Sequence, residues 1–356
     1  MDKNKDYESK YHKYKQKYNE LKTLKPLTKL WYKCPKDNYS NLMFIDALTR
    51  DNYKRTYDTN WDIYLYCNGK LSNNDFKNVQ ISNSNQKIAF IYNNYEIGGK
   101  KKLWNNVKEY YGRDIAETIL PPTYIFPEDK DLFESRYVKG NYYVLKNKKQ
   151  RQKGIVLTSD INEILNYKEN KFNIIQEFIG SSLLFKGHKM NFRIYLVIII
   201  NNSKVSAYMY NDGIVSYAKK YDKEITFNNS IASFYKSQKL YDADYPIILS
   251  QLKKELDLPW TNLMDKIKHK LKLIVESASS KFLEFDKKVT SFQLFGADVM
   301  FNEKLDPFIL EINLGPGMKP HNEHDEKMRS DLMDNVVQLV NSPNHTSLQM
   351  VDLMSH

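Results

Sequence analysis

The sequence is poor in cysteine: Cys34 and Cys67 are its two thiols among 356 residues. They offer neither a metal-ligand spacing nor a disulfide framework, which points to a reducing compartment. No stretch approaches the roughly 20 apolar residues that span a bilayer. The longest apolar run lies around IYLVIII, residues 194–200. Residues 1–20 are polar, so no secretory signal is expected. The G-x-x-x-x-G-K-[ST] order of a P-loop is missing, as are H-R-D and D-F-G. Internal repeats and long low-complexity linkers are missing too. These absences argue against a secreted scaffold, a membrane helix, a P-loop NTPase and a protein kinase. A cytoplasmic, soluble protein is expected.

What is present is enough for a core. Hydrophobic residues make up 41% and aromatic residues 13% of the chain, unlike a disordered sequence. The length suits two or three domains, or one large layered enzyme. Net charge is +11, and residues 1–36 carry eleven lysines against four acidic residues. A basic surface favours anionic partners such as acidic protein tails, nucleic acid or anionic lipid. A plain lysine-rich surface explains the charge equally well. Tyr7, Tyr11, Tyr14, Tyr18 and Leu21 fall on one helical stripe. The stripe either meets a partner or packs on its own domain. The second is favoured, because fewer than three heptads seldom pair alone.

Residues 30–115 mix short strands with Asn-rich turns, and KIAFIYNNYEIGG reads as a strand closed by a Gly-Gly turn. A helix from about Lys101 to Tyr111 follows. Prolines in ETILPPTYIFPED mark an extended entry to a new unit, with Pro127-Glu128-Asp129 opening a helix. NYYVLK, IVLTSD and NIIQEFI read as strands, and KMNFRIYLVIIINNSKVSAYMY as a hairpin turning at Asn201-Asn202-Ser203. Residues 248–285 are expected to be helical, as are residues 325–341. Trp31, Trp61, Trp104 and Trp260 read as core packing, and His321 and His324 as a solvated loop pair.

The chemistry concentrates in LFGADVMFNEKLDPFILEIN, residues 294–313. Folded as an antiparallel hairpin centred near residues 304–305, it sets Asp298 opposite Glu311. Asn313, two residues on, shares the face of Glu311. Like charges across a ladder repel, and carboxylates among apolar neighbours are costly unless paired. A hard cation turns that repulsion into coordination, and an Asp/Glu/Asn oxygen set suits Mg²⁺ rather than zinc. Upstream, Lys189, Asn191 and Arg193 alternate on one strand face, a set suited to phosphate or carboxylate. Lys146 ends a strand that leads into a basic loop holding Lys153 and Gly154, which can fold over phosphates.

In this order the pieces resemble the tubulin tyrosine ligase-like family, which has the ATP-grasp fold. The likeness runs over roughly residues 100–340. LPPTYIFPED resembles the entry to the family's central domain. YYVLK resembles the strand of its first ATP lysine, QKGI the end of its phosphate loop, and IIQEFI its adenine-hinge strand. KMNFRIYLVI resembles K-F-D-L-R-x-Y, with Asn191 where the family usually has Asp. GADVMFNEKLDPFILEIN resembles the metal-binding hairpin and is the most specific match.

The resemblance implies site roles. Lys146 and Lys189 would contact ATP phosphates and adenine, with Lys153 and Gly154 in the phosphate loop. Gln176, Glu177, Phe178 and Ile179 would line the adenine edge, largely through backbone groups, and Asn191 would sit near the ribose. Arg193, with Lys189, would be catalytic, holding a carboxylate of the incoming amino acid or the acyl phosphate. Thr226 and Asn228 in EITFNNS resemble the L-T-N stretch near the phosphates. Asp298, Glu311 and Asn313 would hold Mg²⁺.

The expected fold class is α+β: an ATP-grasp fold with an N-terminal α/β domain and central and C-terminal α+β lobes clamping ATP. The expected division is a basic N-terminal helix or arm (1–29), an N-terminal α/β domain (30–115), a central lobe (116–185), a C-terminal lobe with the metal site (186–342) and a polar tail (343–356). The implied activity is ATP- and Mg²⁺-dependent ligation of a free amino acid, glutamate before tyrosine or glycine. The acceptor would be an acidic protein tail such as the tubulin C-terminus. Microtubule association would follow, with no membrane partner and no nucleic acid. Two alternatives stand beside it: an ATP-grasp ligase joining small molecules, and a non-catalytic basic module that binds microtubules or nucleic acid.

Overall fold

The computed structural model describes residues 29–32, 39–65, 72–147, 155–166, 172–220, 225–226, 234–342 and 350–354. The tyrosine stripe, both cysteines, Lys153, Gly154 and Asn228 lie outside this set.

The N-terminal part contributes β1 (Leu30–Tyr32), α1 (Tyr39–Arg50), β2 (Lys54–Thr56), β3 (Ile63–Tyr64), α2 (Asn73–Asn78) and β4 (Lys87–Ile88). A reciprocal Ser72–Asp75 capping box starts α2, which satisfies two helix-end donors at once. The strand expected in KIAFIYNNYEIGG is only the two residues of β4. Extension is abandoned because the Ile91 amide bonds to the Gln293 side chain and Asn93 turns left-handed, with φ 56°. A helical turn, α3 (Tyr95–Gly98), follows, then α4 (Lys100–Tyr111) and α5 (Arg113–Ile119).

The middle of the chain forms a small antiparallel sheet from β5 (Thr123–Ile125), β6 (Tyr143–Lys146), β7 (Ile155–Thr158) and β8 (Ile174–Glu177), in the order β5-β8-β6-β7. The helices α6 (Lys130–Arg136) and α7 (Ile161–Leu165) pack on it. It has its own core, in which the Phe133 ring meets Tyr124, Phe126 and Tyr143 edge-on.

The second half builds β9 (Leu184–Phe185), β10 (His188–Asn201) and β11 (Lys204–Lys220). The two long strands turn where expected, with Asn202 and Ser203 both at positive φ, as a two-residue hairpin turn requires. IYLVIII is buried throughout, and its β10 backbone is paired on both edges, by β11 and by β12 (Thr290–Phe301). Next in the chain come α8 (Phe234–Tyr241), α9 (Leu249–Glu255) and α10 (Trp260–Phe282). The run expected to be helical over 248–285 is thus two helices. Pro259 stands at the break, since its ring and missing N–H exclude it from a helix interior. The chain closes with β13 (Pro307–Asn313), α11 (Glu323–Asn341) and β14 (Met350–Asp352).

All these large-sheet strands join in the order β14-β11-β10-β12-β4-β3-β1-β2, with β13 on β12 and β9 on β10. The antiparallel half meets the parallel half where Thr290 and Ser291 pair with Lys87 and Ile88. The fold is therefore mixed α+β, with one apolar core running through both halves of the large sheet.

Candidate active site

Three neighbouring strands set three charged residues in one row. Arg193 on β10 lies opposite Asp298 on β12, and Asp298 lies opposite Glu311 on β13. Gly296 pairs with Asn313 in the same register, which slips by one residue past Asp298. The expected pairing of Asp298 with Glu311 is present. What stands beside them is an arginine: Arg193 Nε donates to Asp298 Oδ1 at 2.5 Å and Nη2 to Oδ2 at 3.1 Å. Asn313 Nδ2 lies 3.4 Å from an oxygen of each carboxylate.

The charges are strongly perturbed. Burial pushes the Asp298 carboxyl above the usual range; Arg193 opposes this and Glu311 adds to it. Burial works against the Arg193 guanidinium, but Asp298 overrides it and holds its pKa above the ordinary value. Gly296 makes the approach possible. A methyl group there would sit 2.6 Å from Arg193 Cδ, closer than packed atoms allow.

The small sheet supplies the facing cation. Lys146, 8% exposed at the end of β6, donates to Gln176 Oε1 at 2.6 Å. Gln176 in turn donates to Thr123 Oγ1 at 3.0 Å. Burial pulls the Lys146 pKa down to about 8; Glu311 and Asp298 hold it up, and Lys100 lowers it further. Lys146 therefore shares a field with the carboxylates of the large sheet. Lys189, on the same strand face as Arg193, donates to Gly180 O at 2.7 Å and lies 4.2 Å over the Phe178 ring. Its pKa is also lowered to about 8 by burial.

The hinge strand is partly committed. The Glu177 and Phe178 amides donate to Pro122 O and Tyr142 O, and the Glu177 carboxylate accepts from Tyr124 Oη at 2.9 Å. The Ile179 carbonyl faces Lys189 Nζ at 3.3 Å. Asn191 Oδ1 is buried with no hydrogen-bond partner among the described residues. Thr226 is exposed and outside regular structure. Lys153, Gly154 and Asn228 are not among the described residues; Arg193, Asp298, Glu311 and Asn313 meet directly, and Lys146 shares their field.

Two features were missed in the sequence. Lys100 opens α4 and reaches Lys146 electrostatically; the signal available was the Gly98-Gly99 turn before a basic helix. The second corrects the reading of His321 as solvated. His321 bonds to the Asp325 carboxylate through its backbone amide at 2.9 Å and its ring at 3.1 Å. Arg329, 1% exposed, bonds Asp325 Oδ1 and the Gly317 carbonyl. The knot ties the start of α11 to the loop that leaves Asn313. His324 is exposed, as expected.

Among the described residues no group of three or more His, Cys, Asp or Glu side chains gathers as a metal cluster. The set here is two carboxylates and an amide beside several cations, a composition suited to polyphosphate with a hard cation. The Tubulin-tyrosine ligase family model matches residues 79–349. The chain belongs to this family. Probable tubulin polyglutamylase TTLL2 of Mus musculus is 28% identical over 260 residues, 66% of this chain and 46% of the relative. Tubulin glycylase 3B of Drosophila melanogaster is 29% identical over 207 residues, 51% of this chain and 27% of the relative. Tubulin monoglutamylase TTLL4 of Homo sapiens is 22% identical over 310 residues, 78% of this chain and 25% of the relative. The chain spans about half or less of the length of these relatives. Within this member of the tubulin-tyrosine ligase family, Lys100, Lys146, Lys189, Arg193 and the β12–β13 hairpin all fall inside the matched segment.

Proposed function

We propose that the protein is an ATP- and Mg²⁺-dependent ligase that adds an amino acid, glutamate first, to a carboxylate of an acidic protein tail such as that of tubulin. The observation that carries this reading is the row Arg193–Asp298–Glu311 with Asn313 beside it and Lys146 facing it. The family supports the reaction class, and its relatives named polyglutamylase and monoglutamylase support glutamate. The glycylase relative keeps glycine as the next donor to test.

In this reading the fold is an ATP-grasp clamp. An N-terminal α/β domain (30–115) precedes a central lobe (116–185) and a C-terminal lobe (186–342), with an arm and a tail outside them. Asp298, Glu311 and Asn313 would hold Mg²⁺, since all three offer oxygen to a hard cation. Asn191 Oδ1, buried without a partner, fits a ribose hydroxyl. Bound ATP and Mg²⁺ would supply a phosphoryl group and charge neutralisation, making an unreactive carboxylate an acyl phosphate open to an amine. The chain's own part is positioning and fixed charge. Gln176 orients the Lys146 ammonium toward phosphate. Lys189 and the hinge backbone hold the base end. Arg193 stabilises charge on the carboxylate or acyl phosphate while sharing Asp298 with the cation. No side chain is assigned as general base.

One observation favours a second reading. Both Asp298 oxygens already accept from Arg193, as they would in a non-catalytic module that binds microtubules or nucleic acid through basic charge. The test incubates the protein with ATP, Mg²⁺ and tubulin, with labelled glutamate, glycine or tyrosine in separate reactions. Label from one amino acid enters tubulin, and Glu311→Gln abolishes it with little loss of folding. Full activity in that variant rules out the cation assignment. Product formed from free amino acids without tubulin moves the reading to a small-molecule ligase. Salt-sensitive binding without ATP turnover moves it to the binding module.

A further inference from the structure

Tyr195 follows Arg193 by two residues on β10, so the two side chains leave the same face. It is 0% exposed, yet its hydroxyl has no hydrogen-bond partner among the described residues. A buried hydroxyl left unpaired is costly, and native cores rarely keep one without a reason. Its surroundings are unusual. Arg329, Arg193, Asp325 and Asp298 all act on it electrostatically. Tyr195 therefore lies in the field of two buried ion pairs, Arg193–Asp298 and Arg329–Asp325. Both acids and both bases have hydrogen-bond partners, and the Tyr195 hydroxyl near them is left over.

The arrangement has a consequence for a cation at the hairpin. Asp298 gives one lone pair of each oxygen to Arg193, and a cation that draws an oxygen toward itself weakens that contact. A released N–H of a buried guanidinium then needs another acceptor. The unpartnered oxygen two residues along the same face supplies one. We propose that Tyr195 is a positioning residue of the site, whose hydroxyl accepts from Arg193 once Asp298 turns toward a bound cation. It would keep Arg193 aimed at the substrate while the carboxylate changes partner. The inference rests on the cation site proposed above and goes beyond it, because it assigns Tyr195 a part only in the loaded state.

The experiment compares the parent, Tyr195→Phe and Glu311→Gln as full chains. Thermal unfolding is measured without ligand. Mg²⁺ is then titrated in the presence of a non-hydrolysable ATP analogue, and its affinity is read by calorimetry. Tyr195→Phe is expected to melt at or above the parent temperature without ligand, because it deletes an unpaired polar atom. It is expected to bind Mg²⁺ about tenfold more weakly with the analogue present, a change equal to about 1.4 kcal/mol. Parental Mg²⁺ affinity in Tyr195→Phe would mean that the ring is core packing alone, and the proposal falls. A phenylalanine variant that melts well below the parent would mean that the hydroxyl is already bonded in the free protein, which overturns the proposal equally. Glu311→Gln separates the two levels. If it also binds Mg²⁺ like the parent, the cation site itself is misplaced, whatever Tyr195 does.

Discussion

Lys146 and Lys189 illustrate how little of a side chain's chemistry is visible in its one-letter code. Both are ordinary in a lysine-rich sequence, and both become buried cations whose pKa falls to about 8 from 10.5. The depressed values give two opposed pH responses. In the proposed roles Lys146 meets phosphate and Lys189 the base end as ammonium ions, so nucleotide affinity is expected to be full below pH 8 and to fall as pH rises through it, by up to about tenfold per lysine by pH 9. Folding responds the other way. The unfolded chain holds these protons up to the ordinary lysine range, so stability rises with pH between about 8 and 10.5. Titrating ATP-analogue affinity and thermal stability over that window on one sample checks both signs. Parallel loss of the two would show that the lysines are not the groups that titrate. At the same scale, the pairing of Asp298 with Glu311 was legible from the hairpin's symmetry alone. The arginine beside them was not, because Arg193 and Asp298 are 105 residues apart in sequence and meet only if β10 lies against β12.

At the scale of elements, strands and caps were mostly readable. The NNS turn, the strands carrying Lys146 and Gln176, and the helix at Lys100–Tyr111 stand where local patterns predicted them. The misses have local causes: Pro259 splits a long helical run, and Asn93 curtails a strand. The knot at the start of α11 was invisible for a different reason. Asp325 and Arg329 look like an ordinary exposed i,i+4 pair, yet they are 0% and 1% exposed because the loop after β13 folds over them. Asp325→Ala would leave the buried Arg329 guanidinium without a carboxylate, on the Gly317 carbonyl alone among its charge-balancing contacts, at a cost of about 3–5 kcal/mol. Chemical denaturation checks this. A change under about 1 kcal/mol, of the size usual for surface pairs, would show that the pair is solvated in solution.

Across the whole molecule, two sheets with separate cores bring their charges to one place. Lys146 comes from the small sheet, while Arg193, Asp298 and Glu311 come from the large one. The chain's net charge is +11, and for an acidic tail such a charge acts at a distance. The expected result is a kcat/KM for tail modification that drops about tenfold from low salt to about 0.15 M, with kcat little changed. Steady-state rates across a salt series test this. A salt-independent kcat/KM would separate the charge from acceptor capture. No helix of the described residues is long and apolar enough to cross a membrane, in keeping with the missing apolar runs in the sequence.

By itself the sequence determined what local order can encode: alternating faces on strands, the turn residues, the opposed carboxylates of one hairpin, and a motif order shared with the tubulin-tyrosine ligase family. Only the tertiary structure decided who neutralises whom. Arg193 on Asp298, Lys146 in the field of Lys100 and Glu311, Tyr195 in the field of Arg329 and Asp325, and Arg329 on the Gly317 carbonyl all join separate segments of the chain. Their energies depend on burial, and burial is settled by how the strands and helices stack rather than by any one segment's pattern.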